Sequence, residues 1–294
     1  MRLLITGASG LVGAELARLA VKSAHEVFSA YYAHPIAQGT SMRIDINDEV
    51  EVDRAITRSK PEAVIHAASI TDVDLCERNP ELALRINAAA TRSIAKACSR
   101  TNCFLVYVST DYVFDGRQGC YRENDMPNPI NVYGRSKLLG EQETLRCNDR
   151  FCIARTSVVY GWGRKYRPNF AAWIYNKLKA HEQVKVVSDQ YASPTLNSNL
   201  AAMLLETAEQ RAGGVIHLAG ATRASRYDFA LSLADRFGFD RNLVVPAKSG
   251  ASSWLAKRPP DSSLDVSKAL ETLNNKPAPL DLALDRFAQE VPYQ

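Results

Sequence analysis

The residues with the clearest capacity for chemistry are Tyr133 and Lys137, which stand four positions apart in the run VYGRSK. On a helix this spacing places both side chains on one face, one turn apart. An ammonium close to a phenol favours the phenolate and lowers the tyrosine pKa, so Tyr133 could exchange a proton near neutral pH. Short motifs often match by chance, so catalysis needs support from the rest of the chain.

Two neighbouring segments must position this pair. The run Asn128-Pro129-Ile130-Asn131 is typical of a helix start, with Asn131 as the capping residue. Upstream, the apolar strand Phe104–Val108 ends in Ser109, Thr110 and Asp111. Ligands bind at the carboxyl ends of parallel strands, so these hydroxyls are candidates to face the same ligand as Tyr133.

A glycine-rich turn begins the chain. The apolar run Arg2–Thr6 leads into Gly7, Gly10 and Gly13 and then an amphipathic segment up to about residue 22. Strand, glycine turn and helix in this order are the setting of a dinucleotide-binding fingerprint, with the pyrophosphate at the helix N-terminus. The G-x-x-G-x-x-G spacing indicates the short-chain reductase variant, and the alternative is a turn that binds nothing.

The second predicted strand, Glu26–Tyr32, is followed by Ala33-His34 and has no acid at its end. An acid there would hold the adenosine ribose of NAD and repel a 2′-phosphate. We therefore predict that NADP(H) is preferred, with NAD(H) as the other cofactor left open. Arg43 could pair with the 2′-phosphate or remain a solvated side chain.

Two polar residues stand in apolar surroundings farther along. His66 ends a predicted buried strand and is interpreted as a hydrogen-bonded core histidine rather than a ligand. Asn87 lies in the apolar stripe of a long helix predicted to begin at Pro80. Its amide could hold a backbone carbonyl, hold a proton-relay water, or lie at the edge of the stripe, and we count it among the cofactor-site candidates.

Strands alternate with helices through the first part of the chain, which predicts an α/β, Rossmann-type doubly wound parallel sheet with helices on both faces. After Gly161 the pattern becomes less regular. We predict a dinucleotide-binding domain over residues 1–160 and a smaller substrate-binding lobe over residues 161–294, partly interleaved with it.

Composition narrows the class of protein. The 294 residues carry a net charge of +4 without basic blocks, so no nucleic-acid partner is expected. The N-terminus reads as neither a signal peptide nor a membrane span. The six cysteines lack a metal-type spacing and are typical of free thiols in a reducing cytoplasm, which predicts a cytoplasmic protein without a metal site.

Several longer motifs match one known family along nearly the whole chain. They are STDYVFDG at 109–116, P-x-N-x-Y-G-x-S-K-x-x-G-E at 129–141, Arg155-Thr156-Ser157, Tyr160-Gly161, Asn169-Phe170, Asp189-Gln190 with Ser193-Pro194-Thr195, and Arg258-Pro259. On these residues the chain resembles the extended short-chain dehydrogenases/reductases and, among them, the dTDP-4-dehydrorhamnose reductase (RmlD-type) family.

The resemblance implies that a dTDP-linked 4-keto sugar is reduced by hydride from a nicotinamide. It implies that Tyr133 gives a proton to the sugar O4, that Lys137 lowers the tyrosine pKa and binds the nicotinamide ribose, and that Thr110 hydrogen-bonds the carbonyl oxygen. The cofactor-binding candidates besides Asn87, Tyr133 and Lys137 are Gly7, Gly10, Leu11, Val12, Gly13, Asp45, Ile46, Ala67, Ala68 and Ser69. The substrate-binding candidates are Thr71, Val73, Ser109, Thr110, Val158, Asn169 and Arg258.

Three functions stay open at this stage. Many members of the family have a tryptophan after Arg-Thr-Ser that packs against the sugar, whereas this chain has Val158, which leaves the exact sugar open. The family also resembles the regulatory subunit of methionine adenosyltransferase, which keeps the cofactor site and acts through a partner. A sugar-nucleotide epimerase or dehydratase is the third alternative, and a homodimer is a possible assembly.

Overall fold

The computed structural model describes residues 1–163, 169–251 and 253–291. The strands in these ranges are β1 Arg2–Thr6, β2 Glu26–Tyr31, β3 Thr40–Arg43, β4 Ala63–His66, β5 Phe104–Thr110, β6 Phe151–Thr156, β7 Val159–Tyr160, β8 Val184–Val187, β9 Tyr191–Ala192, β10 Thr195–Leu196, β11 Gly214–His217, β12 Ala224–Ser225 and β13 Val244–Ala247. The α-helices are α1 Leu11–Lys22, α2 Glu49–Ser59, α3 Val73–Arg78, α4 Pro80–Leu84, α5 Ala90–Arg100, α6 Val132–Cys147, α7 Phe170–Lys179, α8 Asn197–Gln210, α9 Arg226–Phe237, α10 Ser267–Thr272 and α11 Leu280–Gln289.

Seven strands form one parallel sheet in the order β11-β6-β5-β4-β1-β2-β3. Successive residues of a strand point to opposite faces, so each central strand needs apolar residues at every position. In β1, Leu3 and Ile5 pack in the core that contains α1 and α8, whereas Leu4 packs in the core that contains α2 and α5. Helices therefore cover both faces, and the predicted doubly wound fold is confirmed.

A second, smaller core lies beyond the sheet. It is built by buried residues of α7, β8, α9, β13 and α11, among them Ile174, Val186, Leu233, Val244 and Phe287. The lobe and the sheet share chain segments, because α8 packs on α1 and β11 is the edge strand beside β6. The division at residue 160 stays a prediction.

One departure from the predicted elements lies close to the sheet. The helix expected to run unbroken from Pro80 contains a π-helical turn over Arg85–Ala89, between α4 and α5. Such turns insert one extra residue per turn and are frequent at functional sites. Here the turn faces α6, with which it has extensive contacts.

Candidate active site

The glycine turn between β1 and α1 is closely packed. Gly7 has a φ of +70°, and a Cβ there would approach the Ala68 backbone nitrogen to 2.7 Å. A Cβ on Gly13 would overlap the Gly7 carbonyl. These two glycines let the turn lie directly against the segment after β4, as the fingerprint requires.

Gly10 leaves the start of α1 open to a ligand. It is the N-cap residue of α1, it is exposed, and it supplies no side chain to bond the first backbone N–H groups of the helix. Leu11 and Val12 follow in that first turn and are half-buried. Free N–H groups at a helix N-terminus are suited to a pyrophosphate, so the turn fits a dinucleotide.

Other cofactor candidates lie along the carboxyl edge of the sheet. Ala67, Ala68 and Ser69 follow β4 and are half-buried, with Ala68 in contact distance of the glycine turn. Asp45 and Ile46 follow β3 and are also half-buried, and Asp45 accepts a hydrogen bond from the Asn47 backbone at 2.9 Å. These positions remain candidates.

Tyr133 and Lys137 lie on α6, one turn apart. The cap predicted for this helix is present, because Asn131 Oδ1 accepts a hydrogen bond from the Gly134 N–H at 2.8 Å. Tyr133 is 8% exposed, and its ring meets the Tyr112 ring edge-on at a centroid distance of 5.8 Å. The Tyr133 phenol lies close enough to Thr110 for the two side chains to interact, so the hydroxyl at the end of β5 and the phenol are neighbours.

Lys137 is buried and directed toward β5. Its Nζ donates to the Val108 carbonyl at 2.7 Å and lies 4.2 Å from the centroid of the Tyr107 ring. Burial lowers its pKa to about 7, against a smaller opposing effect of Glu141. Burial thus favours the neutral amine over the ammonium despite these contacts.

The structure does not show the lowering of the Tyr133 pKa by Lys137 that the sequence predicted. Burial raises the pKa of Tyr133 well above its ordinary value, and the neighbouring Thr110 hydroxyl opposes that only in part. The prediction of a lowered pKa was wrong for this state, because the ammonium is directed to the Val108 carbonyl rather than to the phenol. Tyr133 is therefore held in its protonated form, as an acid requires.

Thr110 is fixed by Asp111, an acid that the sequence left without a role. The Thr110 hydroxyl donates to Asp111 Oδ1 at 3.0 Å, and Asp111 Oδ2 accepts from Ser157 at 2.8 Å and Ser262 at 2.5 Å. Asp111 is 2% exposed, and its burial raises its pKa. Its position directly after Thr110 was visible in the sequence, but the serines that satisfy it come from distant segments.

Ser109 does not share the site of Thr110. Its hydroxyl donates to Glu141 Oε1 at 2.5 Å, and Glu141 is held by both ends of the Arg155 guanidinium at 3.0 and 2.8 Å. Neighbouring residues of a strand point to opposite faces, so only Thr110 is directed to Tyr133. The expectation that Ser109 helps bind the substrate carbonyl is corrected on this ground.

Asn87 lies in the π-helical turn and joins two elements. Its Oδ1 accepts from the Ile70 N–H at 2.9 Å, and its Nδ2 donates to the Ile70 carbonyl at 3.0 Å and to Ser136 Oγ at 2.9 Å. With its amide used in this way and 1% exposure, Asn87 cannot contact a cofactor through its side chain. It is corrected from a cofactor-binding residue to one that positions the loop after β4 against α6.

The interpretation of His66 as a core residue is confirmed. The ring is 1% exposed and its two nitrogens lie 2.6 Å from Thr6 Oγ1 and 3.1 Å from Thr91 Oγ1. Burial, with a further effect of Lys137, lowers its pKa to about 3. His66 is therefore neutral at physiological pH.

Three of the substrate-binding candidates lie at the start of α3 and in the segment between β6 and β7. Thr71 is exposed and Val73 half-buried at the start of α3. Val158 is half-buried with a φ of +37°, a strained conformation for a β-branched residue that often accompanies ligand sites.

Asn169 and Arg258 use their side chains within the fold. Asn169 caps α7 and donates to the Gly161 carbonyl at 2.6 Å. Arg258 donates to Asp74 Oδ1 at 2.6 Å and to the Ala256 carbonyl at 2.6 Å. Asp74 also accepts from two backbone N–H groups of the loop before Arg258, so it anchors that loop on α3.

Two negative findings apply to the described residues. In residues 1–163, 169–251 and 253–291, no helix is long and apolar enough to cross a membrane. Over the same ranges, no three acidic, histidine or cysteine side chains are grouped as a metal would need.

The chain has relatives with known names. A dTDP-4-dehydrorhamnose reductase from Aggregatibacter actinomycetemcomitans is 33% identical over 96% of this chain and 97% of that protein. Methionine adenosyltransferase 2 subunit beta from Xenopus laevis is 31% identical over 91% of this chain and 81% of that protein. The crystal structure of a dTDP-4-dehydrorhamnose reductase from Bacillus anthracis in complex with NADP is 30% identical, covers 99% of each chain and has a TM-score of 0.89.

The family model described as RmlD substrate binding domain matches residues 1–292. This match spans the glycine turn, the Thr110–Tyr133–Lys137 group and the smaller lobe together, and it confirms the resemblance on which the expected site residues rest. The chain belongs to the RmlD substrate binding domain family.

Proposed function

We propose that this protein reduces the 4-keto group of a nucleotide-linked 6-deoxy sugar with hydride from NADPH, converting dTDP-4-dehydrorhamnose to dTDP-L-rhamnose or acting on a close analogue. The observation that carries the proposal is the juxtaposition of Thr110 and Tyr133 at the sheet edge where the glycine turn also lies. A protonated phenol beside a fixed hydroxyl is suited to a carbonyl oxygen that gains negative charge.

Each residue of the site has a separate task in this proposal. The nicotinamide supplies the hydride when the cofactor is bound. Tyr133 donates its proton to the sugar O4, and the Thr110 hydroxyl, which donates to Asp111 in this structure, turns its single proton to the same oxygen when the substrate is bound. Lys137 lies one turn away on α6, where its amine binds the nicotinamide ribose.

In this proposal the cofactor and the sugar are held by separate sets of residues. The pyrophosphate lies on the glycine turn and the first turn of α1, and the nicotinamide half lies against Ala67, Ala68 and Ser69. Thr71, Val73 and Val158 lie near the sugar. Since Val158 is much smaller than tryptophan, the cleft admits a sugar of different shape from that of the family members with tryptophan there.

The proposed preference for NADPH rests on residues at the carboxyl ends of β2 and β3. Tyr32 is 60% exposed and Arg43 lies over its ring at 5.6 Å, so an aromatic face and a guanidinium stand together at this edge. A 2′-phosphate favours a guanidinium, and no acid follows β2 to repel it. We expect NADPH to bind more tightly than NADH in fluorescence titrations, and clear preference for NADH would contradict this.

A regulatory subunit is the second candidate. The 31% identity to a methionine adenosyltransferase subunit favours it, since such a chain also keeps the cofactor fold. Against it stands the hydrogen-bonded Thr110–Asp111 pair beside Tyr133, which a binding role alone would not need. An epimerase or dehydratase is ranked last, because the strand-end threonine is followed by one acid only.

The proposal also covers the cellular compartment, the partners and the assembly of the protein. The protein works in the cytoplasm without a nucleic-acid partner, in keeping with its six cysteines, all present as free thiols. A homodimer is a possible assembly, which sedimentation would test.

The experiment that tests the function is NADPH oxidation with a panel of 4-keto sugar nucleotides. We expect consumption with at least one 6-deoxy member, and dTDP-4-dehydrorhamnose is the first to try. Tight NADPH binding without consumption of any member would favour the regulatory function instead.

A further inference from the structure

Arg226 is the first residue of α9 and belongs to none of the site residues described above. It is half-buried, and its guanidinium carbon lies 4.9 Å from the centroid of the Phe170 ring. The guanidinium also lies close enough to Tyr112 for its charge to oppose the rise that burial causes in the pKa of that phenol. Tyr112 packs edge-on against Tyr133, so one aromatic ring separates Arg226 from the proton donor.

The charge of Arg226 lacks the partner that neighbouring arginines have. Arg258 is paired with Asp74 at 2.6 Å, and Arg155 with Glu141 at 2.8 Å. Among the residues described by the structure, Arg226 forms no such ion pair. A half-buried guanidinium that lies over an aromatic ring and has no acidic partner is well placed for an anionic ligand, because its planar fork matches two oxygens of a phosphate.

The nearest acid does not take this role. Asp111 experiences the charge of Arg226, but its carboxylate is already bonded by Thr110, Ser157 and Ser262. Asp111 is also buried. It therefore does not form an ion pair with the Arg226 guanidinium.

We propose that Arg226 binds the diphosphate of the nucleotide-sugar substrate through hydrogen bonds from its guanidinium to the phosphate oxygens. In such a substrate the diphosphate is attached at C1, across the pyranose ring from C4. A carbonyl held by Tyr133 and Thr110 thus places the diphosphate about one pyranose ring away, and Arg226 is likewise separated from Tyr133 by one ring, that of Tyr112. This inference rests on the proposed function, which supplies the ligand.

The test uses two variants of Arg226 and a control on the same helix. Arg226→Met keeps an unbranched chain over Phe170 without the charge, and Arg226→Lys keeps the charge without the fork. Arg236→Met is the control, because Arg236 lies at the other end of α9 in an exposed pair with Asp285. Calorimetry measures dTDP binding to the NADPH-loaded protein, with thymidine as an uncharged comparison.

We expect Arg226→Met to weaken dTDP binding about 10–100-fold, as removal of charge-assisted hydrogen bonds does. Arg226→Lys should lose less, thymidine binding and NADPH affinity should not change, and Arg236→Met should match the wild type. With a 4-keto sugar nucleotide that turns over, KM should rise while kcat stays within about twofold, since the contact is equal in ground and transition states.

The outcomes separate this inference from the proposed function. Equal dTDP affinity in the wild type and Arg226→Met overturns the inference, even if the sugar nucleotide is reduced. So does an equal loss of thymidine or NADPH binding, which would indicate a structural role. Failure of the wild type to reduce any 4-keto sugar overturns the function, while Arg226-dependent dTDP binding would still support the diphosphate site.

Discussion

The side chain of Lys137 carries a titratable amine that is buried away from water. It is 2% exposed and donates to a backbone carbonyl, and burial lowers its pKa to about 7. In the unfolded chain the amine has its ordinary pKa of about 10.4. Between these values the unfolded state binds more protons than the folded state, so stability rises with pH across that window.

Replacing Lys137 with methionine should therefore change the pH dependence of stability. Relative to Lys137→Met, we expect the wild-type free energy of unfolding to increase by a few kcal/mol from about pH 6 to about pH 10. Denaturant unfolding without cofactor measures this. Lys22→Met, at an exposed lysine of α1, is the control. Parallel curves for the wild type and Lys137→Met would contradict the burial of the charge.

At this scale the sequence identified residue types more reliably than their contacts. Tyr133, Thr110 and the Asn131 cap could be predicted, because each depends on spacing within one or two elements. The partners of Ser109 and Asn87 could not, because Glu141 and Ile70 reach them only through tertiary packing. The lowered pKa predicted for Tyr133 was also wrong, because burial, which depends on tertiary packing, raises that pKa.

At the scale of elements, two glycines of the turn between β1 and α1 serve different purposes, one in packing and the other in ligand binding. A Cβ on Gly13 would overlap the Gly7 carbonyl, whereas a Cβ on Gly10 would meet only that same carbonyl, at 3.2 Å. Gly10 is also exposed, at the start of α1 where a pyrophosphate would approach. The two glycines therefore have different constraints.

We expect Gly13→Ala to destabilise the fold by about 1–3 kcal/mol, as overpacking does. Gly10→Ala should unfold near the wild-type temperature but bind NADPH at least about tenfold more weakly, because its methyl group occupies the approach to the helix N-terminus. Thermal unfolding and NADPH fluorescence titration measure the two effects. Wild-type NADPH affinity in Gly10→Ala would place the cofactor elsewhere.

The strands and most helices could be predicted from their periodicity, but the π-helical turn could not. Apolar residues at helical spacing from Leu82 to Ala97 predict one continuous helix. The inserted turn at Arg85–Ala89 instead accompanies the bonds of Asn87 to Ile70 and Ser136, which are long-range contacts. Its cause lies in the packing against α6 rather than in local propensity.

At the scale of the whole molecule, the sheet depends on residues far along the chain. Leu200, Met203 and Leu204 of α8 are fully buried in the core that contains β1, and β11 pairs with β6. Glu206 of α8 also accepts backbone hydrogen bonds from Asn274 and Asn275 at 2.6 and 2.7 Å. The proposed dinucleotide-binding part is thus completed from beyond residue 160.

We therefore expect a fragment of residues 1–160 to lack cooperative unfolding and NADPH binding, since it loses α8 and exposes the edge of β6. A fragment of residues 1–220, which restores α8 and β11, should recover more near-UV circular dichroism than the shorter one. A stably folded fragment of residues 1–160 that binds NADPH would show that the sheet does not need these later elements.

The central claim is that hydride passes from NADPH to the sugar carbon while Tyr133 protonates the oxygen. Its most direct test is mass spectrometry of the sugar nucleotide after reaction with NADPH deuterated at the transferring C4 position. We predict one deuterium at the former carbonyl carbon for the wild type, and a rate about 10²–10⁴-fold lower for Tyr133→Phe with unchanged NADPH binding. A product without deuterium, or wild-type rates in Tyr133→Phe, would contradict the account.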